Sequence, residues 1–229
     1  MNTATDSPAL ISLPAQGPVQ LLFLLLHGGG GLAADMALLS AALREQYPQA
    51  ALVSLTAPLA EGAGFSWFAS ADLSALNLGE RVAAALPALA LRVRAWAQHF
   101  ELSRECVALG GFAQGATMAL ELVQRAPQEQ QLAGRVLAIA GGHAVEPEHA
   151  PRDVSLHCLQ GLADTVVPYR PVVATARRLV LLGGDVTADV LPEIGHTLHP
   201  ALVAKAMEQL RTFLPGRLWR EAMLAAPKN

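Results

Sequence analysis

Short, unbroken apolar runs alternate with longer segments of helical period along the chain, and this alternation limits the possible folds more than any other feature. The runs predict buried strands at Ala9–Leu13, Val19–Leu26, Ala51–Leu55, Glu105–Leu109, Arg135–Ala140, Val154–Leu159 and Thr187–Leu191. Strands buried on both faces are continuously apolar, whereas strands with one solvent face alternate. The pattern therefore predicts an α/β fold with a mostly parallel central sheet and helices on both faces.

The segments between these runs repeat their apolar residues at helical spacing. They predict helices at Asp35–Tyr47, Leu78–Phe100, Gln114–Arg125, Pro171–Leu182 and Pro200–Leu214, with a short helix near Leu218–Leu224. We expect the second helix to kink or break near Pro87, because proline removes a helix hydrogen bond and clashes with the preceding turn. No linker or charge run divides the chain, so residues 1–229 are expected to form one domain.

Composition and charge exclude several classes of protein. Hydrophobic residues make up 52% of the chain, which supplies a large core and argues against disorder. The net charge is −3 without a cluster of Lys or Arg, so nucleic acid and anionic membranes are not expected partners. The run Leu21–Leu26 is too short to span a bilayer and lacks the flanks of a signal peptide, which favours a cytoplasmic protein. Cys106 and Cys158 are expected to be buried, reduced thiols.

The segment Gly110–Ala116 joins a predicted strand to a predicted helix. Two glycines flank its central residue, Ala113, at a distance of two positions each, which is the frame of a nucleophile elbow. There the central residue occupies a strained turn, its flanking glycines let the chain pass closely, and the next helix points free N–H groups at the site. A methyl group, however, cannot attack a carbonyl carbon. By itself the frame is equally typical of a plain tight turn between a strand and a helix.

With serine in place of Ala113, the segment resembles the elbow of the carboxylesterase/phospholipase family of α/β-hydrolases, which includes the acyl-protein thioesterases. Three other motifs resemble that family in the right order: the His-Gly loop at His27–Gly31, the acid loop at Gly161–Pro168 and the Gly-His turn at Gly195-His196. The resemblance covers about residues 21 to 214. It implies an α/β-hydrolase fold and hydrolysis of carboxylic esters or thioesters through an acyl-enzyme. The chain leaves little room for a large lid domain, so we expect short or medium-chain acyl groups.

The resemblance also implies a role for each motif. Ala113 stands at the nucleophile position, His196 is the general base, and Asp164 orients the His196 ring and stabilises its charged form. His199 is a competing base, but it has no preceding glycine and is expected to begin the next helix.

The oxyanion hole is expected to consist of the backbone N–H groups of Gln114 and Gly29. Four consecutive glycines also suggest a phosphate cradle, although no Lys-Ser/Thr pair follows them. Trp67 and Phe65 belong to an aromatic segment that resembles the family's Trp-Phe segment, so we expect them to line the substrate pocket; ordinary core packing is the alternative. No histidine pair has metal-ligand spacing, so neither a metal nor another cofactor is expected.

Three explanations account for alanine at position 113: a deliberate replacement of serine in an active esterase, a natural pseudo-hydrolase that binds acyl ligands without turnover, or another nucleophile. Neither cysteine nor aspartate stands at the elbow, and Ser66 and Thr117 lie outside the turn. The other motifs of the site are intact around Ala113, which favours an inactivated enzyme. The chain as written is therefore expected to be inactive or nearly so. Its expected partner is a small-molecule ester or thioester, and its apolar composition is compatible with a homodimer.

Overall fold

The computed structural model describes residues 8–215. The strands are β1 (Ala9–Ser12), β2 (Leu21–Leu26), β3 (Ala50–Leu55), β4 (Leu59–Glu61), β5 (Gly64–Ser66), β6 (Val107–Phe112), β7 (Arg135–Ile139), β8 (Ser155–Gly161) and β9 (Asp185–Leu191). The α-helices are α1 (Ala37–Gln46), α2 (Leu78–His99), α3 (Gln114–Arg125), α4 (Tyr169–Leu181) and α5 (Pro200–Thr212). Short 3₁₀ turns occupy Ala33–Met36, Arg104–Cys106 and Gln128–Gln130.

Seven of the strands form one sheet in the order β1-β3-β2-β6-β7-β8-β9. Strand β1 is antiparallel to β3, and every other neighbouring pair in this sheet is parallel. Strands β4 and β5 form a separate antiparallel hairpin. The predicted mostly parallel sheet is therefore confirmed.

Alternate side chains of the central strand β2 divide between two packed layers, because successive side chains of a strand point to opposite faces. Leu22, Leu24 and Leu26 pack in one layer with apolar residues of α2, α3 and α4. Phe23 and Leu25 pack in the other layer with apolar residues of α1 and α5. Burial of both faces explains why the central strands contain almost no polar residues.

Several predicted boundaries are corrected by the structure. Helix α2 is one element from Leu78 to His99, so the expected break at Pro87 does not occur. Pro87 is exposed, and buried residues on both sides of it anchor the helix to the sheet, which offsets one lost hydrogen bond.

The two cysteines differ in burial. Cys158 is buried as expected, and burial raises the pKa of its thiol to about 12. Cys106 is only half-buried, because it precedes β6.

Two further differences concern loops and ends. The aromatic segment at residues 62–70, for which the sequence predicts no strand, contains strand β5, and the first predicted turn of α1 is a 3₁₀ turn. The short helix expected near Leu218–Leu224 lies outside the described residues. Within residues 8–215, no helix is long and apolar enough to cross a membrane.

The predicted site motifs meet at one edge of the sheet. The glycine loop follows β2, the elbow follows β6, Asp164 follows β8 and His196 follows β9. These four strands are parallel, so their carboxyl ends lie at the same edge, where ligands bind in open α/β sheets.

Candidate active site

Ala113 occupies a strained turn between β6 and α3. Its backbone angles are φ 50° and ψ −114°, a conformation that residues other than glycine rarely adopt. The flanking glycines are required by contact with backbone. A Cβ atom on Gly111 would lie 2.4 Å from the backbone nitrogen of Ala116, and one on Gly115 would lie 2.1 Å from the carbonyl oxygen of Leu26. The elbow geometry expected from the sequence is thus present around an alanine.

Two hydrogen bonds hold the peptide groups on either side of Ala113. Its N–H donates to the carbonyl oxygen of Ile139 over 3.0 Å, and its carbonyl accepts from the N–H of Thr117 over 3.1 Å. Gly141, after β7, also packs closely here, since a Cβ atom on it would lie 2.7 Å from the carbonyl oxygen of Ala113. No sequence motif predicts this contact, because it joins the elbow to a different loop.

Asp164 and His196 are hydrogen-bonded to each other. Nδ1 of His196 donates to Oδ2 of Asp164 over 2.8 Å, while Oδ1 of the buried Asp164 accepts from the N–H groups of Val166 and Val167 at 2.9 and 2.8 Å. With the proton on Nδ1, the Nε2 atom of His196 has a free lone pair, as a general base requires. The His196 ring packs against Phe112 of the elbow with 5.1 Å between ring centroids, which brings the pair to the nucleophile position.

His199, the competing base, has a structural task. It precedes α5, and its Nδ1 accepts from the N–H of Ala201 over 3.1 Å, which caps the first turn of that helix.

The buried ring of His27 fixes the start of the glycine loop. Its Nε2 accepts from the N–H of Ala57 over 3.0 Å, so the ring proton is on Nδ1, which donates to the carbonyl oxygen of Gly28 over 2.7 Å. Burial lowers the pKa of His27, which favours this neutral ring. Because the Gly28 carbonyl and the Gly29 N–H belong to one peptide group, the ring also sets the direction of that N–H.

The glycine loop lies directly against the elbow. A Cβ atom on Gly28 would lie 3.5 Å from the Cβ of Ala113, and one on Gly29 would lie 2.8 Å from the Gln114 side chain. Within residues 8–215, the backbone N–H groups of Gly29 and Gln114 have no hydrogen-bond partner. The two expected oxyanion donors thus belong to adjoining segments and are both unpaired.

Side chains of the hairpin region connect the glycine loop and the elbow. Ser66 Oγ accepts from the N–H of Gly30 over 2.7 Å and donates to Glu61, whose carboxylate also accepts from Ser70 Oγ at 3.0 Å. Ser70 in turn accepts from Nε2 of Gln114 over 3.0 Å. These hydrogen bonds, led by that of Ser66, lower the pKa of Glu61. The sequence carries no motif for this network, because its polar residues belong to the hairpin, the loop after it and the start of α3.

The structure places both aromatic candidates beside the glycine loop. Trp67 is buried, and its indole N–H donates to the carbonyl oxygen of His27 over 2.8 Å. Phe65 is half-buried, and its backbone N–H donates to the carbonyl oxygen of Gly31 over 2.9 Å. Both residues therefore support the loop, and their contact with substrate stays a prediction.

Among residues 8–215, no cluster of His, Cys, Asp and Glu has the geometry of a metal site.

Comparison with known proteins agrees with this geometry. A family model described as Phospholipase/Carboxylesterase matches residues 9–215. Esterase YpfH of Escherichia coli (strain K12) is 33% identical over 208 residues, which are 90% of this chain and 88% of that protein.

Solved structures show the same fold. Esterase PE8 superposes with a TM-score of 0.79 at 26% identity and covers 91% of this chain and 98% of its own. A carboxylesterase from Bacillus cereus has a TM-score of 0.75 at 16% identity, with 90% and 94% of the two chains covered. The match over nearly the whole described chain and the esterase relative lead to one conclusion: this chain belongs to the phospholipase/carboxylesterase family of α/β-hydrolases.

Proposed function

We propose that the chain is a serine-type hydrolase of short or medium-chain carboxylic esters or thioesters, in a form that lacks its nucleophile at position 113. The strained conformation of Ala113 beside the Asp164–His196 pair carries this proposal. A backbone conformation of this kind is unfavourable by about 1–3 kcal/mol and is typical of sites where strain serves a function. An alanine side chain cannot take part in catalysis, so this backbone strain has no chemical purpose with alanine at the position.

With serine at position 113, each group has a defined step. The serine oxygen attacks the acyl carbon while Nε2 of His196 takes its proton, and Asp164 stabilises the imidazolium that forms. The N–H groups of Gly29 and Gln114 donate to the carbonyl oxygen as it gains negative charge. His196 then gives the proton to the departing alcohol or thiol. Water attacks the acyl-enzyme by the same route, which releases the acid and restores the hydroxyl.

Alanine at position 113 prevents formation of an acyl-enzyme but leaves the other groups of the site in place. A bound ester still meets the oxyanion donors and the His196 base, so water activated by His196 is the remaining nucleophile, and we expect at most weak hydrolysis. The second candidate function, a pseudo-hydrolase that binds acyl ligands without turnover, is favoured by Ala113 itself.

The variant Ala113→Ser tests the proposal. It should hydrolyse p-nitrophenyl acetate and butyrate and be labelled by a fluorophosphonate at residue 113, whereas the Ala113 protein should not be labelled. Ala69→Ser, at an exposed position, is the control for an added hydroxyl. An inert, folded Ala113→Ser variant would favour the binding protein, and a fast, fluorophosphonate-sensitive rate from the Ala113 protein would overturn the account.

The acyl length follows from the absence of a lid in the described chain. The segments that carry the site motifs, after β2, β6, β8 and β9, are short or continue directly into helices, so none of them contains a lid domain. A series of p-nitrophenyl esters should give the highest kcat/KM at short or medium chains in the Ala113→Ser variant, and a maximum at long-chain triglycerides would contradict this. One domain, a cytoplasmic location and a homodimer stay predictions, which limited proteolysis, cell fractionation and sedimentation would check.

A further inference from the structure

A second cavity lies between the end of β3, the hairpin region and one face of α2. Its volume is about 430 Å³, which is within the range of small-molecule sites. Its walls are mainly apolar and include Pro58, Phe65, Trp67 and Leu89. Neither Ala113 nor the Asp164–His196 pair lines it, although Phe65 and Trp67, whose contact with the ester substrate is still a prediction, form part of its wall.

Arg92 is the only charged side chain among the described residues that line this cavity. It projects from the same face of α2 as Ala85, Ala88 and Leu89, which precede it by seven, four and three residues. Only 9% of Arg92 is exposed. An arginine this deeply buried normally has a carboxylate partner.

The hydrogen bonds of Arg92 are incomplete. Nη1 donates to the carbonyl oxygen of Thr56 over 2.7 Å, and Nη2 donates to that of Pro8 over 3.4 Å, while the buried Nε has no partner. Two of the five N–H groups of the guanidinium are therefore used, and within residues 8–215 no carboxylate pairs with it. Burial lowers the pKa of Arg92, which reflects the unfavourable energy of a buried charge.

A carboxylate in the cavity would accept from the unused N–H groups of Nη1 and Nη2. It carries the compensating charge, and its two oxygens match the planar fork of a guanidinium. Aromatic and aliphatic walls select an apolar chain for the rest of the ligand. We propose that this cavity binds a carboxylic acid with an apolar chain, with the carboxylate on Arg92 and the chain against Phe65, Trp67 and Leu89. The proposal goes beyond ester hydrolysis, since the site contains no nucleophile or base.

Isothermal titration of the full chain with sodium octanoate at pH 7 tests the proposal. We expect saturable binding, and a Kd at least about tenfold weaker in Arg92→Met, since a charge-assisted hydrogen bond contributes about that factor. Arg94→Met is the matched control, because Arg94 lies on the same helix but is exposed. Octan-1-ol, which has the tail without the charge, and acetate, which has the charge without the tail, should each bind much more weakly than octanoate.

Two further variants keep the test decisive. Ala88→Phe places a large ring at an exposed position in the cavity wall and leaves Arg92 unchanged, so it should also abolish binding; it serves where Arg92→Met does not fold. His196→Ala should leave octanoate binding unchanged. The proposal would be overturned by the absence of saturable binding, by an equal loss in Arg94→Met, or by full binding in Arg92→Met or Ala88→Phe. Loss of binding in His196→Ala would also overturn it, because it would place octanoate in the candidate active site.

Discussion

Nδ1 of His196 donates to Oδ2 of Asp164 over 2.8 Å across 32 residues of sequence. The bond fixes the ring proton on Nδ1, and an amide in place of the carboxylate would favour the opposite tautomer. In the Ala113→Ser background, Asp164→Asn should therefore lower kcat by about 10³–10⁴-fold with a smaller change in KM. Asp72→Asn, in an exposed loop, should leave kcat unchanged. Steady-state kinetics on aryl esters check this, and full activity of Asp164→Asn would remove Asp164 from the mechanism.

His27 should act on catalysis through the Gly28–Gly29 peptide. In the Ala113→Ser background, His27→Ala frees the Gly28 carbonyl, so kcat should fall by about tenfold or more while KM changes little; loss of a whole oxyanion donor lowers kcat by about 10²–10³-fold. Fluorophosphonate labelling should slow in parallel. His149→Gln, at an exposed position, is the control. A rise in KM alone would assign His27 to substrate binding instead.

Gly115 should tolerate no side chain. Gly115→Ala places a Cβ atom 2.1 Å from the carbonyl oxygen of Leu26, in the central strand, where the backbone cannot move aside. We expect a loss of about 3 kcal/mol in the free energy of unfolding, measured by urea titration. Gly183→Ala is the comparison: its φ of 85° is unfavourable for alanine but no atom lies within 4 Å, so the loss should be about 1 kcal/mol. If Gly115→Ala and Gly183→Ala lose the same free energy of unfolding, the steric clash at Gly115 contributes little to its loss.

His157 should make the fold sensitive to acid. Its ring is buried, and desolvation lowers its pKa from 6.5 to about 3. The unfolded chain therefore binds a proton at pH values where the folded chain does not, so stability from the neutral ring is full above pH 6.5 and is lost as the pH falls towards 3. The slope from this residue should approach 1.4 kcal/mol per pH unit below pH 6.

Urea titrations between pH 7 and 5 measure this effect. In His157→Gln, which keeps a polar group near Thr187, the free energy of unfolding should decline less steeply with acid, by close to one proton. His149→Gln, whose histidine is exposed, should keep most of the original slope. If His157→Gln declines as steeply as the unchanged chain, the ring is not held neutral by the fold.

The sequence predicted the sheet and the positions of the site motifs because both depend on local signals. A glycine two positions on either side of Ala113 marks the elbow, and buried parallel strands are continuously apolar. Boundaries were less accurate where such signals are weak. Strand β9 begins at Asp185 instead of Thr187, since an edge strand is only half-buried and accepts polar residues.

Contacts between residues that are far apart along the chain could not be predicted from the sequence. The hydrogen bonds from Glu61 through Ser66 to Gly30 join two strands of the hairpin to the glycine loop, and no periodicity connects these positions. The environment of Arg92 was missed for a similar reason. One arginine in a helix of mixed composition has many solvated equivalents, and only packing against β3 shows that it is buried.

The backbone strain at Ala113 has a consequence for how this molecule can change. The left-handed turn is maintained by the close packing of Gly111, Gly115 and Gly141, which does not involve the side chain at position 113. Any L-residue placed there would start from the same Cβ position, which faces the glycine loop at Gly28. The fold therefore presents any side chain at position 113 in the same place, and under the proposed function the single substitution Ala113→Ser should be enough to supply the missing nucleophile.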